Sequence, residues 1–381
     1  MTTTTTHAAT AEELRHLAYA RELALNGRGR VSPNPLVGAV VLNDGRVVGT
    51  GWHEGPGTPH AEVGALREAA GAARGATLVC TLEPCSHHGR TPPCTEAIIA
   101  AGVARVVIGC LDPLERGRAG GATLLADAGM EVVVAPADDA RACRELNAAF
   151  ITHALTGRPL VTLKLATSLD GKVATATGET RWISGPESRA LVHRWRADMD
   201  GVAVGIGTAL ADDPMLDARD VEGRHRQPIR IVFDRRARLP IDSRLVQSVA
   251  QSPVVVVAGA DAPAAAIDRL QAAGVDVIRV SGEVAADRIG DALDALGERN
   301  IQSLLLEGGP ILAEAFLARA EVDRVAWFVA PVLIGGAHAP AALGGRGLGP
   351  LRGVPRLRDL SVERIGDDVL IAGRLRPLAG E

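Results

Sequence analysis

The chain has 381 residues and a net charge of −4, a mildly acidic balance that gives no electrostatic reason to expect nucleic-acid binding. No apolar run approaches the ~18 residues of a membrane span, and the N-terminus, MTTTTTHAAT, lacks the basic and apolar segments of a secretory signal. Five cysteines, sparse and odd in number, then point to a reducing cytoplasm rather than a disulfide framework.

At roughly 100–200 residues per domain, two domains are expected. Residues 1–11 read as a disordered tail. Residues 12–26 have helical spacing, with Leu14, Leu17, Ala18 and Leu25 on one face. LVGAVVLNDGRVVGTG (36–51) reads as two strands around Asn43-Asp44-Gly45. HAEVGALREAAG (60–71) is helical and stops at glycine, ATLVCTL (76–82) is a buried strand, and CTEAIIAAG (94–102) is a short helix stopped by Gly102. ARVVIGC (104–110) is a further apolar strand, followed by a helix near 119–128, a strand at 131–134 and a helix near 138–155. Strands alternating with helices on this scale mean an α/β domain. The pattern ends at TGRPL (156–160), which divides a first domain, 12–156, from a second, 157–381. The second half has a strand at 160–166, a helix near 186–199, and strands at 201–205, 229–234, 253–258 and 276–280. A helix near 285–298, a strand at 303–309 running into a helix at 310–318, and a late strand at 324–334 complete it.

Two segments of the first domain carry chemistry. PHAE supplies His60 and Glu62; TLEPCSHHGRTPPC supplies Cys85 and Cys94. An imidazole and two thiolates suit Zn²⁺ and leave a fourth position for water, whose pKa a bound zinc lowers toward ~7. Glu62, two residues from His60 at a helix start, can face that water without being a ligand. His-x-Glu followed by Pro-Cys is the pattern of zinc nucleobase deaminases, in which the glutamate carries protons. A structural zinc site with His87 or His88 as fourth ligand is the alternative, and it leaves Glu62 without a task.

These motifs, with eight residues between the cysteines, closely resemble the deaminase half of the bifunctional riboflavin-biosynthesis deaminase/reductase family, as do SPNPLVGAVV (32–41) and GWHEG (51–55). LKLATSLDGKVATATGETRWIS (163–184), GIGTALADDPMLDAR (205–219) and LLLEGGPILAEAF (304–316) resemble its reductase half. The resemblance implies a cytidine-deaminase-like three-layer α/β domain followed by a dihydrofolate-reductase-like α/β domain. It implies zinc on His60, Cys85 and Cys94, Glu62 as proton shuttle, and Asn34 and His53 as substrate contacts. It implies that an amine is hydrolysed from 2,5-diamino-6-ribosylamino-4(3H)-pyrimidinone 5′-phosphate and that the ribosyl side chain is then reduced to ribityl with NADPH. A different zinc deaminase joined to an unrelated nucleotide-binding domain remains the competing reading.

In the second half, strand, Gly308-Gly309 and helix start form a phosphate site, since free backbone N–H groups face a region without Cβ atoms. No Gly-x-Gly-x-x-Gly follows the first strand, so a standard Rossmann domain is not supported. The resemblance places the cofactor at Ala166, Trp182, Thr208 and Asp212 and along Gly309, Pro310, Ile311, Leu312, Ala313, Glu314 and Ala315. It places the substrate at Thr180, Arg196, Leu216, Arg219 and Glu307. An arginine can hold a phosphate by two parallel hydrogen bonds. Lys164, alternating with apolar neighbours, is read as pointing inward to orient the ribose and polarise the carbon that accepts hydride. Arg235 and Arg236 in FDRRARLP follow a strand end and suit the 2′-phosphate of NADPH. The expected partner is a small pyrimidine ribose phosphate, with no nucleic acid or membrane. The apolar strand 324–334 offers an interface for a homo-oligomer through the reductase domain.

Overall fold

A computed structural model describes residues 8–89, 92–115, 120–180, 182–223, 226–282, 285–347 and 349–380. The chain forms two compact units. One runs to Thr156 and also takes in the chain from Leu378; the other is Gly157–Pro377.

The first unit opens with helix α1 (Ala11–Ala24), capped by a reciprocal pair in which Thr10 accepts from Glu13 N and Glu13 accepts from Thr10 N. That cap, and a bond from Arg105 to Ala8 O, builds residues 8–11 into the unit, where the sequence suggested tail. The rest of that tail, 1–7, lies outside the described residues. Strands β1 (Gly38–Asn43) and β2 (Arg46–Trp52) form a hairpin whose turn residues Asp44 and Gly45 both have positive φ, as a two-residue hairpin turn requires. Helix α2 (Ala61–Ala69), strand β3 (Thr77–Leu82), helix α3 (Cys94–Ala101), strand β4 (Arg105–Cys110), helix α4 (Gly121–Asp127) and strand β5 (Glu131–Val134) follow. The sheet order is β2-β1-β3-β4-β5, antiparallel through β1 and parallel from β3 to β5.

Glycines set the layers. A Cβ on Gly38 would lie 1.9 Å from Ala20 O of α1; on Gly49 or Gly51 it would lie 2.2 or 2.1 Å from carbonyls of α2. Gly51 pairs with Ala39, which points opposite to Gly38, so α1 and α2 cover opposite faces of the sheet. With both faces covered, β3 and β4 are buried almost throughout and read as continuous apolar runs. The helical pattern of 138–155 is two helices, α5 (Ala137–Leu146) and α6 (Ala148–Thr156), meeting at Asn147.

The second unit contains β6 (Leu160–Ser168), α7 (Pro186–Asp198), β7 (Gly201–Gly205), α8 (Ile206–Asp212), β8 (Ile229–Phe233), α9 (Arg244–Gln247), β9 (Val254–Gly259) and α10 (Ala264–Ala272). It continues with β10 (Asp276–Val280), α11 (Ala285–Gly297), β11 (Ser303–Leu306), α12 (Pro310–Ala318), β12 (Arg324–Ala330), β13 (Arg358–Ile365) and β14 (Asp368–Arg374). Its nine-stranded sheet has the order β10-β9-β8-β7-β11-β6-β12-β14-β13. The strands from β10 to β12 are parallel; β14 is antiparallel to both β12 and β13. Alternation along the strands divides the core. Ile231, Val255, Leu304 and Leu306 meet α11 and α12 on one face, while Val232, Val256 and Leu305 meet α8, α9 and α10 on the other. The late apolar strand ends at Ala330 and lies between β6 and β14, so both its edges are paired. The edges of the sheet belong to β10 and to β13, the latter an element the sequence reading did not find.

Candidate active sites

Each unit gathers its chemistry at a cavity. In the first unit a cavity of 380 Å³ is lined by Asn34, His53, His60, Glu62, Cys85 and His87, among others. His60 is the cap residue of α2, Cys94 opens α3, and Cys85 lies in the loop after β3. Thiolate charge is favoured at a helix start. His60 Nδ1 lies 3.1 Å from Cys94 Sγ and 3.5 Å from Cys85 Sγ, and Cys85 Sγ accepts from Cys94 N at 3.3 Å. The three donor atoms lie within 4.8 Å of one another. One imidazole nitrogen and two thiols so close together fit zinc, and neither His87 nor His88 joins the group among the described residues. His88 instead faces solvent beside Glu96. The Cys94 thiol and, against burial, the His60 ring hold Cys85 down at about 4, whereas Cys85 and burial push Cys94 up.

Glu62 is the second residue of α2 and is 3% exposed. Its Oε2 has no hydrogen-bond partner among the described residues, and burial pushes its carboxyl up to about 7. His53 is buried, its ring edge-on to that of His60 with centroids 5.4 Å apart, and burial holds it below the usual histidine range. Its Nε2 lies 3.0 Å from Asn34 Nδ2, so the two suggested substrate contacts are themselves joined. Glu83, Asp112 and Phe150 also line this cavity and were not singled out in the sequence. Glu83 bonds the backbone N–H groups of Asp112 and Ala122 and so ties the loop after β3 to the chain after β4.

In the second unit two neighbouring cavities, of 670 and 810 Å³, share Lys164, Ala166, Val173, Thr180, Asp212 and Glu307. Glu307 is the centre of the shared wall. Arg196 grips it with two bonds, Nε to Oε1 at 2.6 Å and Nη2 to Oε2 at 3.0 Å, and Lys164 Nζ lies 3.5 Å from Oε2. Burial alone would raise the Glu307 carboxyl, but Arg196 and Lys164 hold it down at about 2. The two-pronged grip suggested for a phosphate is thus committed to Glu307, and the third nitrogen of Arg196 bonds Asp217 O. Thr180 donates to Asp212 at 2.8 Å.

Leu216, Arg219 and Trp182 line the 670 Å³ cavity, with the Arg189 guanidinium 4.4 Å above the Trp182 ring. The sequence reading put Trp182 with the cofactor; it stands on the Arg196 side of the shared wall. Thr208, Gly309, Pro310, Ile311, Leu312 and Ala315 line the 810 Å³ cavity, which lies at the carboxyl ends of β7, β8, β9, β10 and β11. Ala313 is buried in the core against the sheet, and Glu314 is off the cavity wall. Gly309 caps α12 without a side-chain bond, and a Cβ there would lie 2.9 Å from Thr208 Oγ1. That bare turn, at strand ends of a parallel sheet, fits a dinucleotide phosphate. Arg235 lines the same cavity, paired to Asp261, and Arg238 lines it beside Asp234; Arg236 does not. His193, Asp234, Gly259 and Val280 were not singled out in the sequence. The signal that could have found the last three is their place at or just after parallel-strand ends.

Comparison with known proteins agrees with this division. Residues 159–371 match the family described as RibD C-terminal domain, and residues 11–110 match the cytidine and deoxycytidylate deaminase zinc-binding region. The chain is 39% identical to the riboflavin biosynthesis protein RibD of Aquifex aeolicus (strain VF5) over 93% of its own length and 96% of the relative's. It is 37% identical to that of Escherichia coli (strain K12) over 93% and 97%. Among solved structures, Acinetobacter baumannii RibD, form 1, superposes with a TM-score of 0.85 at 35% identity, covering 95% of this chain and 98% of that one. A diaminohydroxyphosphoribosylaminopyrimidine deaminase/5-amino-6-(5-phosphoribosylamino)uracil reductase of Thermotoga maritima does so with a TM-score of 0.82 at 34% identity, again covering 95% and 98%. The competing reading, a deaminase with an unrelated second domain, falls with these matches.

Proposed function

The chain belongs to the bifunctional riboflavin-biosynthesis deaminase/reductase family, and on that premise we propose that each reaction is carried by the residues its own cavity gathers. The protein is a zinc-dependent deaminase of 2,5-diamino-6-ribosylamino-4(3H)-pyrimidinone 5′-phosphate and an NADPH-dependent reductase of the deaminated product. Deamination belongs to the residues up to Thr156, reduction to those from Gly157.

In the first unit His60, Cys85 and Cys94 would hold the zinc ion, which when bound would supply the Lewis acidity that makes water a nucleophile at neutral pH. Glu62 takes a proton from the attacking water and gives it to a ring nitrogen, then takes the second proton from the newly added hydroxyl and gives it to the amino group, which leaves as ammonia. A carboxyl held near 7 can do both at physiological pH. Asn34 and His53 hold the pyrimidine in the same cavity. The observation that carries this reading is the buried Oε2 of Glu62, without a hydrogen-bond partner among the described residues, beside the His60–Cys85–Cys94 donors.

In the second unit the 670 Å³ cavity would hold the substrate and the larger one NADPH, which would supply hydride beside the residues the two cavities share. Lys164 orients the ribose there and polarises the carbon that accepts hydride, while Glu307 fixes Lys164 and Arg196. Arg219 is the more accessible cation for the substrate phosphate, since Arg196 is gripped by Glu307. Trp182 lines the substrate cavity, and Arg235, on the wall of the larger one, would meet the 2′-phosphate of NADPH.

The enzyme acts in the cytoplasm on a small molecule. No described helix is long and apolar enough to cross a membrane. It self-associates through the reductase unit. The support is β13, the last strand at one end of the sheet, exposed along nearly its whole length, with Leu360 and Val362 among its exposed residues. A two-stage assay tests the whole reading. Ammonia release without cofactor, followed by NADPH oxidation once it is added, is the expected order. No ammonia from zinc-loaded protein overturns the deaminase assignment, and ammonia without NADPH oxidation overturns the reductase one.

A further inference from the structure

Asn147 is polar, 3% exposed, and has no part in the chemistry above. It sits at the break between α5 and α6, where its side-chain amide faces the backbone of Leu36. Oδ1 accepts from Leu36 N at 2.7 Å and Nδ2 donates to Leu36 O at 2.9 Å. A carboxamide carries the same donor and acceptor as a peptide unit, so Asn147 does for Leu36 what a neighbouring strand would do. The two residues following Leu36 are held as well. His53 N donates to Val37 O at 3.0 Å and Gly38 N donates to Thr81 Oγ1 at 3.1 Å. Segment 36–38 is thereby fixed from three sides.

Immediately before it lies Pro33-Asn34-Pro35, all three on the wall of the deaminase cavity. The prolines have no N–H to give, so the segment's downstream anchor is the amide pair at Leu36. Phe150, one helical turn after Asn147, lines the same cavity, which places the α5–α6 break directly behind the site.

We propose that Asn147 is a positioning residue for the deamination. By pairing both backbone groups of Leu36, it sets the reach of Asn34 into the cavity and its register against His53. The inference rests on reading Asn34 as a substrate contact. Asn147→Ala leaves two backbone groups without their partner. Asn147→Asp keeps the volume and the acceptor but turns an oxygen toward Leu36 O, so it separates pairing from packing.

The test uses the full-length zinc-loaded enzyme with Asn147→Ala, Asn147→Asp, Asn34→Ala and the Asn34→Ala/Asn147→Ala double variant. Deaminase kcat and KM, reductase rate on supplied deaminated substrate, and bound zinc are measured on the same preparations. Both Asn147 variants are expected to lower deaminase kcat/KM by about 10- to 100-fold, mainly through KM, with zinc content and reduction unchanged. The double variant is expected to be no worse than Asn34→Ala alone, because the two act through one contact. Deamination within about twofold of the unaltered enzyme in Asn147→Ala, or losses that add in full in the double variant, overturns the proposal. If Asn147→Ala loses zinc, Asn147→Asp is judged by the same criteria, and zinc loss in both makes Asn147 structural and overturns the proposal. If Asn34→Ala itself deaminates normally, the substrate-contact reading falls and takes the proposal with it. An impaired Asn34→Ala with intact Asn147 variants defeats the positioning role alone.

Discussion

Glu62 and Glu307 are the same residue type, their side chains both largely removed from solvent and both on a cavity wall, yet their carboxyls are driven in opposite directions. Glu62 has an oxygen with no hydrogen-bond partner among the described residues, and burial lifts the carboxyl to about 7. Glu307 receives Arg196 and Lys164, and the two cations overcome burial and hold it at about 2. Desolvation favours the neutral form unless an opposite charge is within reach. The difference separates the two: the first carboxyl has no opposite charge strong enough to offset its burial, while the second is an anion held between two cations.

Removing the proton carrier should have the largest effect. Glu62→Gln keeps the shape of the side chain and is expected to slow deamination by about 10³- to 10⁴-fold. Reduction of supplied product and bound zinc should both be unchanged. Equal losses in both reactions would mean that the carboxyl supports folding rather than proton transfer.

Removing a cation tests the other side. Lys164→Met is expected to lower the reduction rate by about 10²- to 10³-fold with deamination intact, read as NADPH oxidation against ammonia release. Normal reduction in this variant would leave Glu307 an anion whose cations serve only structure.

A pH titration of stability sharpens the contrast. The folded-state value of Glu307, about 2, lies below its ordinary 4.5, so its contribution is complete above about 4.5 and is lost as pH falls from there toward about 2. Denaturant unfolding of the reductase unit should weaken across that window, and Glu307→Gln should flatten the dependence. An unchanged slope would mean that the cations do not hold the carboxylate.

The smallest effect concerns a charge outside the pair. Arg235→Ala is expected to reduce the preference for NADPH over NADH by about tenfold, while Arg236→Ala, off the cavity wall, leaves it unchanged. Coenzyme competition at fixed substrate reads both. Equal behaviour of the two variants would remove Arg235 from the 2′-phosphate.

What the sequence by itself determined is what short-range physics controls. The hairpin at Asp44-Gly45 and the helix stop at Gly102, which has φ +71°, follow from backbone conformations that glycine adopts easily. The deaminase motif was legible because His60 and Glu62 lie within two residues, Cys85 and Cys94 within nine, and each pair sits at a helix start or strand end. Lys164 was legible as a charge among apolar neighbours on one strand. Tertiary structure alone decided which partner each buried polar group meets. Nothing local to Arg196 shows that its guanidinium is taken by Glu307, 111 residues away, and nothing local to Asn147 breaks a helix or names Leu36, also 111 residues away. Local spacing likewise could not reveal that Gly38, Gly49 and Gly51 are bare so that two helices can press on opposite faces of a sheet. Trp182 falls on the Arg196 side of the shared wall, Ala313 turns into the core, and β13 ends the sheet for the same reason. Periodicity fixes which face of an element is apolar, but only the order of strands in a sheet decides what that face touches.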